Sequence, residues 1–68
     1  MPKNVLKFYY FLVCFQPPYP GPCDGSFKRW YYDFKYQACD QFIYGGCGGF
    51  ENNFETECEC LNRCSVGA

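Results

Sequence analysis

The chain has 68 residues, seven of them cysteine, and six Lys and Arg against seven Asp and Glu, a formal charge of −1. A chain this short allows one domain, and buries too little apolar surface to outweigh its conformational entropy comfortably. The cysteine density points instead to a disulfide scaffold and an oxidising, secreted or extracellular setting. With no basic run or stripe, the charge pattern excludes the electrostatic footprint of a nucleic-acid binder and argues against an anionic membrane surface.

Residues 1–13 carry Lys3 and Lys7 and then an apolar run over 8–13, the outline of a signal peptide. The run is short, lacks an Ala-x-Ala-like cleavage site and flows directly into Cys14. The segment is therefore read as a lead-in: a signal remnant, or a linker from a longer precursor. It is far too short to span a bilayer.

Pro17, Pro18, Pro20 and Pro22, with Gly21 among them, make residues 16–22 extended or turning, a stiff exposed loop. Residues 27–35 are dense in aromatics (Phe27, Trp30, Tyr31, Tyr32, Phe34), and 40–44 add Phe42, Ile43 and Tyr44. Both stretches have strand composition. The short polar link over 33–38 can turn, which predicts a twisted antiparallel hairpin. Gly45, Gly46, Gly48 and Gly49 around Cys47 give a backbone free to take positive φ or to approach another segment closely.

Thr56 followed by Glu59 three residues later is a capping box, predicting a short helix through Arg63 that ends near Gly67. On that helix Cys60 and Cys64 share a face, while Cys58 points elsewhere. Aromatic content of 24% in so small a domain assigns Tyr31, Tyr32, Phe42, Tyr44 and Phe54 to the core.

Seven cysteines leave one over when six pair, and spacing alone does not choose among the connectivities six allow. The pattern Cys14-x8-Cys23-x15-Cys39-x7-Cys47-x12-Cys60-x3-Cys64 nevertheless resembles the Kunitz (pancreatic trypsin inhibitor) family at every spacing. So do the intervening runs Pro17-Pro18-Tyr19-Pro20-Gly21-Pro22, Arg29-Trp30-Tyr31-Tyr32-Asp33, Phe42-Ile43-Tyr44-Gly45-Gly46-Cys47-Gly48-Gly49 and Asn52-Asn53-Phe54. The resemblance implies a small disulfide-rich α+β fold over residues 14–64, followed by a tail at 65–68. Its parts are a twisted antiparallel β-hairpin, a short C-terminal helix and the pairs Cys14–Cys64, Cys23–Cys47 and Cys39–Cys60. In the chain-entropy model each such bridge contributes roughly 3 to 4 kcal/mol, enough to hold a domain of this size. Cys58 has no counterpart in the pattern and is expected to be unpaired. It is open to a disulfide-linked partner, to a small-thiol adduct, or to no role at all.

The resemblance further implies a serine protease inhibitor, not an enzyme. Pro22, Cys23, Asp24, Gly25, Ser26 and Phe27 would form its reactive-site loop, and Ile43, Tyr44, Gly45, Gly46 and Gly48 a secondary contact loop. The secondary loop reads equally as backbone packed against the Cys23–Cys47 bridge. That bridge would fix residues 22–28 in an extended shape before a protease arrives, so that binding need not order them.

Asp24 stands where the family places the residue that enters the protease's primary specificity pocket. Members that resemble trypsin inhibitors carry Lys or Arg there. An aspartate buried against the carboxylate of a trypsin-like pocket costs about 3 to 5 kcal/mol, or two to four decades in affinity. Weak action on trypsin follows. Two explanations stay open: a target that tolerates or prefers an acidic residue, or a loop that has lost inhibition.

The rival class is a non-inhibitory Kunitz-fold interaction or ion-channel-blocking module, against which the acidic balance speaks mildly. Asn52 resembles the family's buried amide and Arg29 its packed surface guanidinium. No metal or other cofactor is expected. The chain has no histidine, and Cys58 among Glu55, Glu57 and Glu59 makes no zinc site once six thiols are oxidised. A nucleophilic cysteine would need a neighbouring base, and none is at hand.

Overall fold

The computed structural model describes residues 12–65; most of the expected lead-in segment and of the tail lie outside the described residues. Among the described residues the first are helical, at 12–15, and place Val13 in the core at 2% exposed. The proline-rich stretch follows without regular structure, because proline supplies no amide donor and fixes its own φ. Two strands come next, β1 (Phe27–Asp33) and β2 (Ala38–Tyr44), and the chain closes on a helix, α1 (Glu57–Cys64).

The strands pair antiparallel, with Phe27 opposite Tyr44 and Asp33 opposite Ala38. Sequence composition extends the first strand to Lys35 and starts the second at Asp40. In the structure the hairpin turns earlier, because the Asp33 carboxylate accepts a hydrogen bond from the Lys35 amide at 3.0 Å and Gln37 takes a left-handed φ of 52°. The other edge of β1 is not bare. Trp30 and Phe54 exchange both backbone hydrogen bonds, at 2.7 and 2.8 Å, so residue 54 acts as a one-residue third strand.

Thr56 caps α1 as the capping box predicts. Its hydroxyl accepts from the Glu59 amide and donates to the Glu59 carboxylate, both at 3.1 Å. The helix ends at Cys64, with the Ser65 amide bonded to the Leu61 carbonyl, short of the expected end near Gly67.

Three disulfides join these parts with the expected pairing: Cys14–Cys64, Cys23–Cys47 and Cys39–Cys60, with Cα separations of 5.7, 5.7 and 6.3 Å. The first ties the opening turn to the end of α1, and the third ties β2 to the middle of α1. Among the described residues the buried apolar ones are Val13, Cys14, Phe54 and Cys60, the last fully enclosed. Tyr31, Tyr32, Phe42 and Tyr44, expected in the core, are only half-buried. A domain of this size has no interior wide enough to enclose several rings, so cystine sulfur, Val13 and the single ring of Phe54 fill the centre while the other rings wall it.

Asn52 is the one buried polar side chain among the described residues, at 1% exposed. Its carbonyl oxygen accepts from the Tyr32 amide at 2.8 Å. Its Nδ2 donates to the carbonyls of Gln16 at 2.8 Å and Tyr32 at 3.0 Å, with Cys14 at 3.5 Å. One amide thus binds the opening turn to the hairpin, the role its resemblance to the family implies. Gln16 helps from the other side: its Oε1 accepts from the amides of Glu51 and Asn52 at 3.0 and 3.1 Å.

Candidate functional site

The Cys23–Cys47 bridge lies at the end of the domain away from Asn52's network and brings two loops together. Residues 22–28 are all exposed, so Pro22, Cys23, Asp24, Gly25, Ser26 and Phe27 form one continuous accessible stretch. Facing them across the bridge are residues 45–48, entered from the end of β2.

A buried glycine fixes the two loops to each other. The Gly25 amide donates to the Gly45 carbonyl, and the Gly45 amide donates to the Pro20 carbonyl, both at 2.9 Å. Gly45 thereby grips the exposed loop on both sides of Cys23. The approach is so close that a Cβ on Gly45 would overlap the Cys23 carbonyl, and one on Gly25 would overlap the Gly45 carbonyl and the Phe27 ring. Both positions require glycine for space, not for an unusual dihedral angle.

The second loop is itself anchored. The Tyr44 hydroxyl donates to the Gly48 carbonyl at 2.9 Å, and the Arg29 guanidinium lies 5.1 Å from the Tyr44 ring centroid while donating to Asn53 Oδ1 at 3.2 Å. Of the secondary-loop residues, Gly45 is buried, Tyr44 is half-buried, and Gly46, Gly48 and Ile43 are exposed. Ile43 stands on β2 opposite Lys28. The geometry serves both readings of the glycine loop: it packs against the bridge, and it leaves a surface beside residues 22–27.

Asp24 stands exposed between Cys23 and Gly25. Cys58 lies elsewhere, exposed on α1 and free, with the Asn62 amide nitrogen 3.6 Å from its sulfur. No helix among the described residues is long and apolar enough to cross a membrane.

What sequence reasoning missed is the double grip of Gly45 and the joining role of Gln16. The close spacing of glycines marks a tight approach without saying to what. A glutamine before a proline run carries no signal of its own.

An exposed loop, joined by a cystine and by backbone hydrogen bonds to the loop that follows the hairpin, defines a small disulfide-stapled module. The family model for the Kunitz/Bovine pancreatic trypsin inhibitor domain matches residues 13–65, and the chain belongs to that family. It is 57% identical over 51 residues to the carboxypeptidase inhibitor SmCI of Sabellastarte magnifica, covering 75% of this chain and 31% of that protein. It is 47% identical over 55 residues to the uterine plasmin/trypsin inhibitor of Sus scrofa, covering 81% and 45% respectively. The chain thus spans less than half the length of these two relatives. Among solved structures, that of calcicludine superposes with a TM-score of 0.76 at 34% identity, covering 78% of this chain and 88% of that one.

Proposed function

We propose that this chain is a protease-inhibiting module directed at a serine endopeptidase, working by substrate-like occlusion with the Asp24–Gly25 peptide as the bond it presents. The observation that carries the reading is the grip of Gly45 on residues 20 and 25, together with the Cys23–Cys47 bridge, around an otherwise solvent-exposed loop. A loose peptide loses affinity to the ordering of its backbone on binding, and a pinned one does not. The same restraints act if the bond is cut. Cys23 stays tied to Cys47 and Gly25 to Gly45, so the new ends at 24 and 25 remain together and rejoining competes with release.

The relatives, a plasmin/trypsin inhibitor and a carboxypeptidase inhibitor, support a proteolytic partner in general. The choice of a serine endopeptidase rests on the family, whose model is named for a trypsin inhibitor. In this reading the chain is a binding module without a reaction of its own, and its three disulfides suit an extracellular workplace.

Trypsin provides the test. The wild-type chain should inhibit it poorly, and Asp24→Lys should convert it into a tight trypsin inhibitor, a change of two to four decades by the cost of burying like charges (on the order of 3 to 5 kcal/mol). Titration of trypsin activity with both proteins measures it. An Asp24→Lys protein that stays folded and still fails to inhibit would show that the loop is misshapen for the purpose.

A further inference from the structure

The loop offers its partner one unpaired negative charge. Asp24 is exposed and makes no hydrogen bond or ion pair with another described residue. Among the described residues nothing nearby is placed to neutralise it. Cys23 is bridged to Cys47, Gly25 has no side chain, and Lys28 lies beyond Ser26 and Phe27 on β1. The next cation, Arg29, is committed to the Tyr44 ring and to Asn53. An exposed carboxylate is hydrated while the domain is free, and must give that hydration up when a cleft closes over the loop. Without an opposite charge to meet it, the loss costs decades of affinity; with one, the pair forms a desolvated, charge-assisted contact.

Beyond Gly25 the surface changes character. Phe27 and Ile43 are each 52% exposed, and the Phe27 ring lies against Gly25 and Gly46, close enough that a Cβ on either glycine would meet it. Ile43, paired with Lys28, faces the other side of the hairpin from Phe27. A bare carboxylate before the presented bond and the exposed Phe27 ring after it form a recognition pattern with a definite complement.

Resting on the inhibitor reading above, we propose that the target is a serine endopeptidase whose primary specificity pocket carries an Arg or Lys side chain, so that it cleaves after aspartate, and whose cleft offers the exposed Phe27 ring an apolar wall. The unusual residue of the loop is then its specificity determinant. A pocket lined by a carboxylate repels Asp24, and a small apolar pocket leaves it unpaired.

The test uses the full chain and three probes: a serine protease that cleaves after aspartate, an elastase-type protease with a small apolar pocket, and trypsin. The wild type should bind the aspartate-cleaving protease most tightly. Asp24→Asn keeps the size and removes the charge, and should weaken that complex about 100-fold, the scale of a desolvated charge pair. Added salt should slow association of the wild type with this protease and leave Asp24→Asn nearly unaffected. If the wild type favours the elastase-type enzyme, or if Asp24→Asn binds the aspartate-cleaving protease as well as the wild type does, the inference of a cationic pocket is overturned. If the wild type stops none of the three while Asp24→Arg stops trypsin, that inference falls and the inhibitor reading survives. Failure of a folded Asp24→Arg protein on trypsin overturns the inhibitor reading itself.

Discussion

At one end of the domain Cys23, Asp24 and Gly25 stand in solvent; at the other, Asn52 and Cys60 are 1% and 0% exposed. Both ends are rigid, for different reasons. The base is held by burial and by an amide that joins two segments at once, residues 14–16 and the hairpin at Tyr32, so its stability depends on side chains that cannot be exchanged. The loop end buries almost nothing. It is held by one cystine, two backbone hydrogen bonds and glycines that let three strands of backbone lie against each other. A surface built this way can change its side chains, Asp24 above all, without disturbing the restraints that shape it.

The division predicts that damage to the base lowers stability and spares the loop. Asn52→Ala leaves the Tyr32 amide and the Gln16 and Tyr32 carbonyls without their partner in a nearly water-free site. At about 1 to 3 kcal/mol for each abandoned group, a loss of roughly 4 kcal/mol is expected in denaturant unfolding. In an Asp24→Lys background, where trypsin supplies a measurable affinity, the inhibition constant at room temperature should stay within about threefold, as for distant uncoupled sites. A parallel collapse of inhibition would show that the two ends are not separable.

Cys23→Ala with Cys47→Ala makes the opposite cut. The fold should remain cooperative, less stable by about 3 kcal/mol for the loop closure lost. Inhibition in the same Asp24→Lys background should fall at least tenfold, because the protease must now order the loop. Equal inhibition with and without the bridge would assign the rigidity to Gly45 alone.

Legibility in the sequence follows the same line. The base could be read because its parts declare themselves by type: six cysteines at fixed spacings, an asparagine in Asn52-Asn53-Phe54, and a Thr56 cap with Glu59 behind it. The loop end could be located from Cys23 and the flanking prolines and glycines, but how it is held could not be read. A hydrogen bond from one glycine backbone to another leaves no mark on composition. The assignment of Tyr31, Tyr32, Phe42 and Tyr44 to the core failed in degree, since hydrophobic identity says which side chains seek burial and not how much interior a short chain can provide. Strand ends were misjudged by up to two residues because the Asp33 side chain and the φ of Gln37 set the turn.

Tyr31 gives the mildest way to separate the two ends, by pH. It is half-buried on β1 directly opposite Asp40, and shares its side of the strand with Asp33 two residues on. Its pKa is raised above 10.0, first by burial, then by the negative charges of Asp33 and Asp40, with a smaller part from a hydrogen bond to Asp33. The neutral phenol is therefore favoured in the folded state more than in the unfolded one. Its stabilising share is complete below the unfolded value near 10, and is lost as pH rises through the higher folded value. Thermal unfolding should show stability declining above pH 10, and Tyr31→Phe should flatten part of that decline while changing little at pH 7. Because Tyr31 belongs to the hairpin and not to residues 22–27, neither the substitution nor the pH step should alter the Asp24→Lys protein's hold on trypsin measured after return to neutral pH. An identical decline in wild type and Tyr31→Phe would remove Tyr31 as its source.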